Sequence, residues 1–178
     1  REYRCNEVIS IAGADGTIAP LYYRGTVRNA MKRFKFSSAA YCADWFAAQM
    51  SVALTSQLDD WQPNLITYMP IGLLHYRKRG YNQAEWIAKG ISDVLHIPVD
   101  THTLYRVRRT KPQKKLNDIE RKQNLQGAFS VKCALPPNAC ILLVDDIYTT
   151  GSTVDEAARC LQAAGECKVY VAAVAIGG

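Results

Sequence analysis

An α/β fold, with a mostly parallel sheet covered by helices on both faces, is predicted for this 178-residue chain by three observations. Short apolar runs alternate with segments whose apolar residues recur at helical spacing, the pattern of repeated β and α units. Ile141-Leu142-Leu143-Val144 is continuously apolar, as a strand buried on both faces of a parallel sheet should be. The segment that follows, opening near Ser152, repeats Val154, Ala157, Ala158, Leu161 and Ala164 along one face and stops at Gly165.

Taken in order, Thr17 to Tyr23 reads as a strand, Gly25 to Phe36 as a short basic amphipathic helix, and Ala39 to Leu58 as a longer helix rich in alanine and aromatics. Asn64 to Met69 is a buried strand. Residues Pro70 to Tyr81 then form a loop with three consecutive cations, Arg77, Lys78 and Arg79. Asn82 and Glu85 make a capping-box pair for a helix running to about Leu95. Thr103 to Val107 is a strand, followed by a basic stretch, a short helix near Leu116 to Leu125, and strands at Ala128 to Val131 and Lys168 to Ala175. No internal repeat or linker interrupts the series, so one domain over residues 1 to 178 is expected.

Composition bounds the class. Hydrophobic residues make up 48% and charged residues 21%, enough to bury one substantial core. No stretch of about 18 apolar residues exists, so no membrane span is expected. Arg1, Glu2, Arg4 and Glu7 leave no apolar region for a secretory signal, and the missing initiator Met points to a trimmed or partial chain. Cysteines 5, 42, 133, 140, 160 and 167 form no CxxC pair, so neither a zinc ribbon nor a disulfide framework is expected. Reduced thiols in a cytoplasmic setting follow. The net charge of +6 is concentrated: Arg106, Arg108, Arg109, Lys111, Lys114, Lys115, Arg121 and Lys122 face only Asp118 and Glu120 within residues 106 to 122. Such a stretch is a solvated basic loop by composition and a polyanion site if a phosphate pocket stands beside it.

The chemistry concentrates after the apolar run. Asp145 and Asp146 end it, and Ile147-Tyr148-Thr149-Thr150-Gly151-Ser152-Thr153 leads into the helix. Ligands of open α/β sheets bind at the carboxyl ends of the strands. Free backbone N–H groups at the helix start, with the hydroxyls of Thr149, Thr150, Ser152 and Thr153, suit a phosphate monoester, and Gly151 lets the backbone approach it. The carboxylates would repel phosphate; ribose hydroxyls and a hydrated Mg²⁺ are their partners. Asp-Asp before Thr-Thr-Gly-Ser is by itself only a capped turn; the thirteen-residue pattern as a whole favours the anion site.

Other chemistry finds little support. His75, His96 and His102 lack metal-ligand spacing, and no GxGxxG or GxxxxGK[ST] occurs. Trp45 and Trp86 sit in helical apolar patterns and are assigned to the core. Tyr76, Tyr81 and Tyr105 flank the cations and are the better candidates to stack on bases.

Residues 141 to 153 resemble the phosphoribosyl pyrophosphate (PRPP) motif of type I phosphoribosyltransferases. Arg79-Gly80-Tyr81-Asn82-Gln83-Ala84-Glu85 resembles the R-G-[FY]-N-Q-[AS]-E block of the ComF family, also called GntX-like. Arg108-Arg109-Thr110-Lys111-Pro112-Gln113 and Asn124-Leu125-Gln126-Gly127-Ala128-Phe129 follow at similar spacing. In the amino-terminal third the likeness is looser, resting on Tyr23-Arg24-Gly25, Val27-Arg28 and Phe34-Lys35-Phe36. The resemblance implies a type I phosphoribosyltransferase-like fold with a mobile basic loop. By similarity, Asp145 and Asp146 hold the ribose hydroxyls and Mg²⁺ shell, and Thr149, Thr150, Gly151, Ser152 and Thr153 cradle the 5′-phosphate. Arg77, Lys78 and Arg79 take the pyrophosphate, and Arg106, Arg108, Arg109, Lys111, Lys114 and Lys115 belong to the mobile loop or to a nucleic-acid surface.

The same resemblance implies DNA uptake in natural transformation, with single-stranded DNA and uptake-machinery proteins as partners, or a Mg²⁺-dependent phosphoribosyltransferase with a nucleobase or amine acceptor. Two departures stand out. Met69-Pro70-Ile71-Gly72 replaces a Pro-Val-Pro-Leu-like stretch of the family, and a lone Cys5 stands where many members begin with a zinc-binding module, so no structural metal is expected. The catalytic base is unassigned. Thr149 occupies a position where purine-salvage enzymes commonly carry an aspartate that assists base deprotonation, and threonine cannot do that work.

Overall fold

A computed structural model describes residues 8–9, 13–36, 39, 41–108, 110 and 117–177. Six strands form the main sheet in the order β1 (Val8–Ile9), β2 (Gly16–Ile18), β8 (Cys167–Ile176), β7 (Ala139–Tyr148) and β4 (Leu65–Tyr68), with β3 (Leu21–Tyr22) also pairing with β8. Every pairing is parallel except β1 with β2. The predicted strand 17–23 is thus two pieces. Pro20, which has no N–H to give a ladder, lies between them.

The long central strands justify the reading of buried β structure. Leu142, Val144, Tyr170, Ala172 and Val174 point into a core shared with α1 (Gly25–Phe36), α2 (Tyr41–Thr55) and α5 (Gln83–Leu95). Ile141, Leu143, Val169 and Val171 point to the opposite core, where α7 (Ser152–Ala164) contributes Val154, Ala157, Ala158 and Leu161. Alternate residues of one strand therefore serve two helical layers, and a polar residue at either face would lose its place. Gly90 allows α5 to lie close on α2: a Cβ there would come 2.6 Å from that of Ala47.

The helix predicted over 39–58 is shorter. Thr55 Oγ1 donates to the Ser51 carbonyl and Ser56 Oγ to that of Ala53, at 2.9 Å each, as the helix ends; a short α3 (Leu58–Trp61) follows. Trp61 stacks on Tyr170 with ring centroids 4.5 Å apart. Trp45 is not a core residue, being 49% exposed, whereas Trp86 is partly buried and stacks on Tyr81.

Two further expectations change. Residues 70–81 are not a continuous loop, because α4 (Leu73–Arg79) forms between Gly72 and Gly80. Its Leu, Arg and Lys residues favour helix, and Gly80, at φ 81°, ends it by donating its N–H to the Tyr76 carbonyl. β5 (Leu104–Arg106) and β6 (Phe129–Val131) pair antiparallel in a separate two-stranded sheet. Leu104-Tyr105-Arg106 ends in a charge that a strand covered on both faces would have to bury. Between them α6 (Asp118–Leu125) occupies most of the predicted helical segment. Gly165 ends α7 with extended backbone, φ 173°, and not in a left-handed cap. Among the described residues, no helix is long and apolar enough to cross a membrane.

Candidate functional site

The two carboxylates lie inside β7, which continues to Tyr148 because its ladder with β8 runs on through Asp145↔Ala173, Ile147↔Ala175 and Tyr148↔Ile176. On its other side the pairing with β4 stops at Tyr68↔Val144. Met69 N still donates to the Val144 carbonyl at 2.8 Å, and the chain then departs through Pro70. Beyond that point Asp145 and Asp146 line a cavity of about 210 Å³, the crevice expected beyond the carboxyl ends of parallel strands.

Asp145 and Asp146 of β7 and Thr153 of α7 line the cavity, with Lys35, Arg79 and Arg106 supplying cations. Lys35 Nζ lies 2.6 Å from Asp146 Oδ2. Asp145 Oδ1 accepts from the Asp146 N–H at 2.8 Å, yet burial, with the Asp146 charge beside it, pushes the Asp145 carboxyl up to about 8. His75 also lines the cavity; burial, with Arg79, Arg106 and Lys78 nearby, lowers its pKa, which favours the neutral imidazole.

A second, smaller hollow of about 30 Å³ is formed by residues 145 and 147–154. Asp145 and Thr153 belong to both spaces. Gly151, at φ 76°, is the N-cap of α7 and has no side chain to fill the cap; the Tyr148 hydroxyl lies only 2.6 Å from where its Cβ would be. Thr150 Oγ1 and Ser152 Oγ share a hydrogen bond at 3.2 Å. Thr149, Thr150, Gly151, Ser152 and Thr153 are thus brought together around one helix start.

The predicted cations separate. Arg79 lines the large cavity, its Nη1 donating to Gln83 Oε1 at 2.9 Å and its guanidinium lying over the Phe36 ring, whereas Arg77 and Lys78 are exposed on α4. Arg106 lines the cavity, packs over the Phe129 ring and donates to Thr110 Oγ1. Arg108 is committed elsewhere. Its Nη2 donates to the carbonyls of Asn124 at 3.0 Å and Gln126 at 2.7 Å, fastening the carboxyl end of α6. Arg109, Lys111, Lys114 and Lys115 lie outside the described residues.

Lys35, His75 and Gln83 were given no role from the sequence. Lys35 stands in the Phe34-Lys35-Phe36 stretch, where helix phase shows that it leaves the core but not which strand it reaches. Tyr81, expected to stack on bases, is only 7% exposed, packs between Phe34 and Trp86, and donates its hydroxyl to the Phe34 carbonyl. Asn82 caps α5 as expected, accepting from Ala84 N at 3.0 Å, and also donates to the Met69 carbonyl at 2.9 Å. Glu85 pairs with Lys89 at 2.7 Å.

No family model matches the chain. Competence protein F of Haemophilus influenzae is 33% identical over 146 residues, covering 79% of this chain and 64% of the relative. Competence protein ComFC of Bacillus subtilis is 30% identical over 144 residues, 81% of this chain and 57% of the relative. This chain is a relative of the ComF-type competence proteins. DNA utilization protein YhgH of Escherichia coli is 34% identical to this chain over 109 residues, 61% of the chain and 48% of YhgH. The chain therefore spans about half to two thirds of the length of these curated proteins. A solved purine phosphoribosyltransferase from Pyrococcus horikoshii aligns over 74% of each chain, with a TM-score of 0.42 and 18% identity.

Proposed function

We propose that this chain binds PRPP together with Mg²⁺ and supports the handling of DNA taken up in natural transformation. The observation that carries the PRPP reading is the junction of two spaces at Asp145 and Thr153: a hollow at a helix start on one side, and a larger cavity with Lys35, Arg79 and Arg106 on the other. A sugar held at the carboxylates would send its 5′-phosphate into the first and its diphosphate into the second. The adjacent carboxylates suit a hard cation, since Mg²⁺ is commonly bound by one or two carboxylates plus substrate phosphates, and Asp146 already attracts a cation in Lys35. Mg²⁺ bound there would neutralise diphosphate charge; Asp145 and Asp146 are the residues that would hold it.

If the chain is a transferase, an acceptor nitrogen attacks C1 of the ribose, the C1–O bond breaks, pyrophosphate leaves with the bonding pair, and the nitrogen gives up its proton. Arg79 and Arg106 stabilise the charge on the leaving group. The second reading is thus a phosphoribosyltransferase acting on a nucleobase or amine, favoured by the uncharged lining at Pro70, Ile71 and Gly72, against which a planar acceptor would pack. The DNA role rests on the names of the relatives, competence and DNA utilization proteins.

The test is calorimetric titration of PRPP with Mg²⁺ into the native protein and into the Asp145→Asn, Asp146→Asn double variant. Binding to the native chain and its loss in the folded variant are expected. Equal affinity in both would remove the carboxylates from the site, and no binding to the native chain would overturn the PRPP reading.

A further inference from the structure

Gln83 is 1% exposed, an unusual place for a long polar side chain, at the first position of α5. Its oxygen is identified by its partner: Arg79 can only donate, so the atom 2.9 Å from Arg79 Nη1 must accept. The amide nitrogen is thereby directed away from Arg79. It meets no hydrogen-bond partner among the described residues, although Gln83 lines the same cavity as Lys35, Arg106, Asp145 and Asp146. A buried donor left unpaired is unfavourable, and the adjacent Asn82 shows the usual outcome, with both ends of its amide engaged. The group that Gln83 lacks is an oxygen acceptor. The neighbouring cations and the amino-terminal end of α5 specify its sign.

Resting on the PRPP reading above, we propose that Gln83 is a specificity residue for the diphosphate: its NH₂ group donates to a diphosphate oxygen while its carbonyl holds the Arg79 guanidinium toward the same group. One side chain would then supply a neutral donor and orient a charged one. The hydroxyls around Gly151 line the other hollow, so the 5′-phosphate end does not depend on Gln83.

The experiment measures, by calorimetry, the affinities of PRPP, inorganic pyrophosphate and ribose 5-phosphate, each with Mg²⁺, for the native chain and for Gln83→Glu. That substitution keeps the shape and the acceptor for Arg79 but replaces the donor by a second acceptor. We expect PRPP and pyrophosphate to bind roughly tenfold or more weakly, with ribose 5-phosphate unchanged. Should Gln83→Glu fail to fold, Gln83→Met removes the amide without adding charge and is expected to give the same selective loss. PRPP binding that is unchanged in the variant, or a loss shared equally by ribose 5-phosphate, overturns this inference alone. Failure of the native chain to bind PRPP overturns the reading on which it rests.

Discussion

Asp145 illustrates how one residue couples stability to the site. Burial and the Asp146 charge hold its folded carboxyl well above the value of about 3.9 of an unfolded aspartate, so over the intervening range the folded chain holds a proton that the unfolded chain has released. The stabilisation is full below the unfolded pKa and is lost as pH rises through the folded one. Asp145→Asn, which keeps an oxygen for the Asp146 N–H, should therefore be more stable than the native chain at pH 8 to 9 and should differ little at pH 4. Chemical denaturation across that range measures the difference. A native chain whose stability does not fall relative to the variant would show that Asp145 is ionised in the folded state. The paired carboxylates were legible in the sequence because they follow an apolar run directly. Lys35 was not, since its meeting with Asp146 joins residues 111 positions apart in the chain and no local pattern encodes it.

At the scale of the element, what could be read depended on where each segment buries itself. β7 and α7 declare their periods because both pack against apolar neighbours, and the turn between them was legible for the same reason. Helix α4 buries none of its residues, so it has no apolar stripe; Leu73, Leu74 and Tyr76 are exposed. Only Gly72 and Gly80 bracket it, and that signal is weaker than the run of cations that suggested a loop. The turn into α7 makes a firm prediction. Gly151→Ala places a methyl carbon at positive φ and against the Tyr148 hydroxyl, and should cost about 1–2 kcal/mol in thermal or denaturant unfolding. It should also weaken ribose 5-phosphate binding, measured by calorimetry at a temperature where the variant is folded. Unimpaired stability and affinity together would mean that the turn adapts without using Gly151.

For the whole molecule, the net charge of +6 is relevant chiefly to encounter with polyanions. If single-stranded DNA is a partner, its affinity should fall linearly with salt on logarithmic axes, with a slope of about −0.7 for each phosphate neutralised. Reversing the charges of Lys114 and Lys115 should make that slope shallower, as read by fluorescence anisotropy of a labelled oligonucleotide. A slope unchanged by the reversal would exclude these two lysines from the contact. Arg108 makes a poor choice for such a test, because its loss would loosen α6 whether or not DNA binds. The parallel arrangement of the sheet was legible from its alternating units, whereas the separation of β5 and β6 into their own sheet was not: a three-residue strand says little about its neighbour.

The contact between Lys35 and Asp146 also changes how occupation of the cavity should be pictured. An ammonium group already neutralises the carboxylate, so the Mg²⁺-bearing ligand proposed above would not enter a bare negative site. It would trade places with a counter-ion that the protein itself carries, on the residue next to Phe34, whose carbonyl receives the Tyr81 hydroxyl. On the proposed PRPP and Mg²⁺ reading, entry would be an exchange of cations, with the displaced ammonium on the wall of the same cavity.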